Sequence, residues 1–243
     1  MNRFLHGVMR AVVESFPLPE PILEIGSYQV AGQESLGDLR PLFAGRNYIG
    51  MDIRPGPGVD LVGNVEALEL PDASIGTVIA LSTFEHVQRF WLGFEEVYRV
   101  LRPDGVFVVS VPFNLHVHNY PSDYRRFTAE ALEMLLAEQY PTRLIGQQGP
   151  KTKPHNVWAV GFRSRTTSER LSRFEECMRR YAREPLPWGR RIRYWLGRLV
   201  AGRRPFTPWL DRERWQVQWK ENPVDEQQHA VANATARGVG VHR

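Results

Sequence analysis

A single cysteine, Cys177, is the whole thiol content of this 243-residue sequence. No intramolecular disulfide can form, so the fold rests on its core, which a chain of this length can bury without staples. The reducing cytoplasm is the expected location, with a membrane surface as a second one. No apolar run approaches the roughly 18 residues that span a bilayer. The N-terminal stretch is interrupted by His6, Arg10 and Glu14. It reads as an amphipathic helix, not a signal peptide. The G-x-G-x-x-G fingerprint that seats a pyrophosphate on a helix N-terminus is absent, which argues against a dinucleotide enzyme. Internal repeats and RNA-binding motifs are missing as well.

What is present is ordinary globular composition with an uneven charge. The net charge is +4. Residues 1–162 hold 13 basic and 18 acidic side chains, whereas residues 163–220 hold 16 basic and 6 acidic ones. The basicity therefore belongs to the C-terminal part. We divide the chain into a domain over 1–162, a basic, aromatic-rich helical extension over 163–220, and a polar, disordered tail over 221–243.

Short apolar runs alternate with helical patterns. Ile22 to Ile25, Tyr48 to Asp52, Val59 to Val62, Ile75 to Leu81 and Val106 to Val111 read as strands. Phe90 to Leu101 and Ala129 to Glu138 read as helices, the second capped by Thr128, and a short helix is expected around Glu34 to Phe43. Arg102-Pro103-Asp104-Gly105 is a stop and turn signal. Leu144 to Gln147 and Val157 to Phe162 suit a closing antiparallel pair. The pattern is that of an α/β, Rossmann-like, doubly wound and mostly parallel sheet of about seven strands. In such sheets ligands bind beyond the carboxyl ends of the strands. Gly26 with Glu24, Asp52, Asn64 with Val65, Ser82, and the loop from Pro112 to Phe127 all fall there. A carboxylate at the end of the second strand can accept both hydroxyls of a ribose.

These segments resemble class I methyltransferases that depend on S-adenosylmethionine (SAM), specifically the type 11-like domain. Leu23-Glu24-Ile25-Gly26-Ser27 is similar to their motif I. Gly63 to Ile79 resembles "GDAExLPFxDxSFDxV", Ser82 to Val87 resembles "xxxEHV", and Glu96 to Gly105 resembles "ExxRVLKPGG". The resemblance spans residues 20–162. It implies SAM as cofactor and S-adenosylhomocysteine as product. Gly26 and Ser27 would line the methionine moiety, with Glu24 organising their loop. Asp52 would hold the ribose, Ile53 would flank the adenine, Asn64 and Val65 would meet its edge, and Ser82 would close the methionine end. Tyr28 and Val30 stand where the family has further glycines, and Asn64 replaces an aspartate, so the loop takes a different path here. A second reading follows from that departure: a SAM-binding domain without turnover, acting as partner or scaffold.

The segment Asn114 to Thr128 resembles "HxxPxDYxRFT", found in bacterial methyltransferases of glycan and natural-product pathways. It implies a small-molecule or glycan acceptor, methylated on oxygen. His118 and His116 are the candidate bases, with Asp123 orienting one of them. These residues lack a metal-ligand spacing, so no metal is expected. His86 reads as a pocket-wall residue. For the extension, packing on the core or in a homodimer ranks first, an anionic membrane surface met by residues 188–200 second, and nucleic acid last.

Overall fold

The structure is a computed structural model that describes residues 2–32, 37–118, 122–182, 188–189, 192, 196 and 215–223. Helix α1, Arg3–Ser15, starts where the Asn2 side chain accepts the Leu5 N–H at 2.9 Å. The prolines at 17, 19 and 21 then forbid its continuation. Strands β1 (Ile22–Ile25), β2 (Tyr48–Asp52), β3 (Leu61–Val62) and β4 (Ile75–Leu81) follow. Next come α2 (Phe90–Val100), β5 (Leu101–Pro112), α3 (Ala129–Ala137), β6 (Thr142–Gln148), β7 (Asn156–Phe162), α4 (Ser168–Tyr181) and β8 (Trp215–Glu221). Thr128 caps α3 as expected, its hydroxyl accepting the Ala131 N–H at 3.0 Å.

Among the described residues, eight strands form one sheet in the order β3-β2-β1-β4-β5-β7-β6-β8. The first five are mutually parallel, and β7, β6 and β8 close the far edge with antiparallel pairings. The chain runs outward from β1 to β3 and then returns to place β4 on the other side of β1. The carboxyl ends of β1 and β4 flank that reversal, and a crevice opens there.

Strand β5 shows why its sequence is continuously apolar. Phe107, Val109 and Val111 pack with Phe84, Phe94, Leu132 and Tyr140 on the face covered by α2 and α3. Val106 and Val108 pack with Phe4, Met9, Trp158 and Phe174 on the face covered by α1 and α4. Side chains alternate between the two faces, and both faces are buried.

The structure differs from the sequence reading in four places. Helix α2 stops at Val100, just ahead of Arg102 to Gly105, but these residues do not form a separate turn: the pairing register jumps from Ile75–Leu101 to Thr77–Val106, so they bulge out of β5. The third strand is only Leu61–Val62. The helix expected around Glu34 to Phe43 is, in its described part, a single 3-10 turn over Arg40–Phe43. The 163–220 extension is not wholly helical. Trp215–Glu221 is a strand, held by β6 in a pairing of Thr142 with Glu221 through Gln148 with Trp215. Helix α4 lies against α1, with the Tyr181 hydroxyl donating to Glu14 at 3.0 Å and the Arg10 guanidinium 4.0 Å above the Tyr181 ring. Of residues 188–200, for which a membrane surface ranked second to packing, only 188, 189, 192 and 196 are described; Trp188, Ile192 and Leu196 among them are exposed. No described helix is long and apolar enough to cross a membrane. The tail beyond 223 lies outside the described residues.

Candidate functional site

The crevice at the carboxyl edge encloses a cavity of about 930 Å³. Its walls include Glu24, Gly26, Asp52, Ile53, Asn64, Val65, Ser82, His116 and His118. Ser27 and Asp123 stand behind the wall, not on it.

At the end of β1 the backbone turns sharply. Gly26 sits at φ +83°, and its N–H donates to the Met51 carbonyl of β2 at 2.8 Å. Thr83, just after β4, approaches from across the reversal and donates its hydroxyl to the Ile25 carbonyl at 3.0 Å. Ser82 takes φ +55°, so the β4 loop also bends tightly at the crevice. Ser27 is buried and its hydroxyl has no partner among the described residues.

Glu24 is buried beneath this turn. Burial pushes its carboxyl up to about 7, against the Tyr48 hydroxyl, which donates to Oε2 at 2.5 Å and favours the charged form. Asp52 ends β2 with its side chain 12% exposed. The Arg54 N–H donates to one carboxylate oxygen at 3.1 Å, the Tyr28 N–H approaches the other at 3.4 Å, and the Arg54 guanidinium lies 3.7 Å away. That guanidinium also covers the Tyr28 ring at 4.6 Å. Ile53 is 57% exposed, an apolar side chain at the rim. Asn64 uses its side-chain oxygen on the Glu66 N–H at 3.0 Å, which holds the β3 turn, and Val65 is buried below it.

The other wall carries titratable side chains. His118 Nδ1 lies 3.1 Å from Asp123 Oδ2, and the His118 N–H donates to the same oxygen at 3.0 Å. Arg126 grips both Asp123 oxygens. This pairing holds the Asp123 carboxyl down at about 2. The His86 ring packs edge-on against His118 at 4.9 Å and sets its Nδ1 on the Ser122 carbonyl. Burial pushes His86 down. Glu85, beside it, is completely buried, and neither of its carboxylate oxygens has a hydrogen-bond partner from another residue among the described ones. Burial pushes that carboxyl up to about 8, and the Asp123 charge acts in the same direction. Asn119, Tyr120 and Pro121 lie outside the described residues.

The sequence reading missed several wall residues. Tyr28 and Arg54 flank Asp52, His155 and Asn156 reach in from the β6–β7 turn, and Asn2 reaches in from the start of α1. Glu85 was quoted in a motif but given no role. Only long-range packing brings these together; the signal that could have been used was the unusual sequence of two histidines within three residues of each other opposite an acid–histidine pair.

Residues 36–109 match the model of the methyltransferase domain family. A Mycolicibacterium smegmatis protein described as "probable S-adenosylmethionine-dependent methyltransferase" is 35% identical over 101 residues. That stretch is 37% of this chain and 37% of the relative, so the chain spans little more than a third of the relative it matches. Among solved structures, a SAM-dependent methyltransferase from Thermotoga maritima overlaps 66% of this chain and 89% of its own, with 18% identity and a TM-score of 0.49. A Burkholderia thailandensis 1,6-didemethyltoxoflavin-N1-methyltransferase with bound S-adenosylhomocysteine overlaps 66% and 77%, with 16% identity and a TM-score of 0.48. At that level neither structure says what this chain acts on. Over residues 36–109 the chain is similar to the methyltransferase domain family, and the cofactor of the relatives named above is SAM.

The residues present fit that cofactor. A positive-φ glycine closes the β1 turn, an acid ends β2 with its carboxylate at the cavity wall, and an exposed aliphatic side chain stands beside it.

Proposed function

We propose that this chain transfers the methyl group of SAM to a hydroxyl oxygen of a small-molecule or glycan acceptor, with a loop histidine as the base. The observation that carries this reading is one crevice with two kinds of wall. On one side stand Gly26 and Asp52; on the other stands His118, backed by Asp123 at 3.1 Å.

Asp52 would hold the ribose hydroxyls, exchanging the solvent-facing part of its shell for them, while Glu24, Gly26 and Ser82 would shape the methionine end. Ile53, Asn64 and Val65 would enclose the adenine. SAM supplies, when bound, a methyl carbon open to in-line attack. The protein's own task is to align the acceptor oxygen and accept its proton. Imidazole is the side-chain base that titrates nearest neutrality. Asp123 orients the His118 ring by taking Nδ1, which turns Nε2 to the cavity, and Arg126 keeps Asp123 ionised. His116 lines the same cavity and is exposed, which makes it the other base.

The test is binding followed by turnover. SAM and S-adenosylhomocysteine should raise the melting temperature of the full chain, and NAD should not. Asp52→Ala removes hydrogen bonds from a charged acceptor, each worth about 1.5–3 kcal/mol, so SAM affinity should fall roughly 10- to 100-fold. An unchanged affinity removes Asp52 from the ribose role. SAM binding without methyl transfer to any hydroxyl acceptor would favour the scaffold reading, which the replacement of two loop glycines by Tyr28 and Val30 supports.

A further inference from the structure

Glu85, His86 and His118 come from two loops, one after β4 and one after β5. Each offers one ligand atom, and the three atoms lie within 4.8 Å of one another. His86 Nε2 is 3.8 Å from Glu85 Oε1. We propose that these three residues bind a divalent first-row transition-metal cation of the zinc or iron(II) class, on the acceptor side of the crevice.

Three independent features support this. Glu85 is a fully buried carboxylate turned toward two imidazoles, with no hydrogen bond from another residue among the described ones to satisfy it. Buried carboxylates are normally paired or coordinate a metal, because an unpaired charge there is costly. Next, each imidazole already has the outer partner that a metal ligand needs: His86 Nδ1 meets the Ser122 carbonyl, and His118 Nδ1 meets Asp123. Such partners fix the tautomer that presents Nε2 to a cation. Finally, the donor set discriminates. Two imidazoles and one carboxylate, with positions left open, suit zinc and non-haem iron(II), whereas magnesium and calcium prefer oxygen. The neighbouring Arg126 charge does not oppose the cation alone, since Asp123 takes it in a two-oxygen pair. Closing the ligands around an ion requires ring shifts of about 1 Å, because donors around zinc stand roughly 3–4 Å apart.

The role of the cation rests on the methyl-transfer reading. An open coordination position would hold the acceptor oxygen and lower its proton affinity. His118 would then serve as a ligand, and His116, exposed on the same wall and outside the triad, would take the proton.

The full chain, stripped with a chelator, is titrated with Zn²⁺, Co²⁺ and Mg²⁺ by calorimetry. One Zn²⁺ and one Co²⁺ per chain are expected, Mg²⁺ binding far more weakly, and Co²⁺ should give visible ligand-field bands. Asp123→Asn should weaken Zn²⁺ by about 10- to 100-fold, as outer-shell changes do. Glu85→Gln, His86→Asn and His118→Asn should each weaken it at least as much, whereas His6→Asn should not. Circular dichroism confirms that each variant folds; if Glu85→Gln does not, the cobalt spectrum of the parent decides. Zn²⁺ affinity that survives all three substitutions, or a parent without ligand-field bands, overturns the site. SAM is titrated in parallel. Failed metal binding with intact SAM turnover sinks the metal site alone. Tight metal binding without turnover sinks the methyl-transfer reading alone. His116→Ala should keep the metal and lose turnover.

Discussion

A Cβ added to Gly26 would lie 2.3 Å from Thr83 Oγ1 and 2.9 Å from Thr83 Cγ2. The turn after β1 and the turn after β4 are thus in contact with no room for a methyl group between them. Thr83 cannot swing aside cheaply, because a β-branched side chain has few rotamers and its hydroxyl is spent on the Ile25 carbonyl at 3.0 Å.

Gly26→Ala should therefore lose stability through two causes. An L residue at φ +83° costs on the order of 1–2 kcal/mol, and the clash adds to it. For a chain of this size each kcal/mol lowers the melting temperature by roughly 2–4 °C. Calorimetry should show a fall of several degrees, and the SAM-induced shift should vanish. Adding Thr83→Ala should return only the part due to the clash. Full recovery in the double variant would show that backbone strain at Gly26 is negligible.

Glu24 should make stability depend on pH with a definite sign. Its carboxyl titrates at about 7 in the fold and at an ordinary 4.5 otherwise. Between those values the unfolded chain has released the proton while the folded chain keeps it, so unfolding releases a proton and stability falls as pH rises. Below 4.5 both states are protonated and above 7 both are ionised, so the loss is complete there. The full difference is about 3 kcal/mol. In Glu24→Gln the amide oxygen can still accept from Tyr48, and the desolvated charge is gone. Urea unfolding should show the variant gaining on the parent from pH 4.5 to pH 7 and holding that gain at pH 8. A gap that shrinks over this range would reverse the assignment.

Gly7 sits inside α1, where alanine would ordinarily add about 1 kcal/mol of helix stability. Here a Cβ would meet the Tyr181 carbonyl oxygen of α4 at 2.3 Å and the adjoining carbon at 2.7 Å. These are backbone atoms, so the helices must separate. Gly7→Ala should destabilise by about 1–3 kcal/mol, as overpacking does, and a stabilised variant would show that the α1–α4 crossing is loose.

The strands were legible because each carries a local signal. Val106 to Val111 is apolar throughout since both faces of β5 are covered, and Asp52 ends an apolar run where a parallel strand meets solvent. Thr128 announced α3 through its capping hydroxyl. Trp215 to Glu221 gave no such signal: half-buried and exposed positions alternate only at its start, and β6 supplies the pairing. Arg102 to Gly105 reads as a terminator, yet its neighbours pair with β4 on either side of a bulge.

The site divides in the same way. Glu24, Gly26, Asp52, Asn64, Val65 and Ser82 could be named from position alone, because the end of a strand is a property of the local sequence. Their partners could not. Tyr28 against Asp52, Thr83 against Gly26, and Glu85 and His86 against His118 are each set by which loops a folded sheet brings to one edge. By itself, the order of residues determined a parallel α/β sheet and the acids and glycine at its carboxyl edge, since periodicity and turn chemistry act over a few residues. Only the tertiary structure decided that the buried Glu85 carboxylate, with no hydrogen bond from another described residue, lies beside His118 as well as His86, because contacts between loops more than 30 residues apart depend on how strands are ordered, and local sequence carries no record of that order.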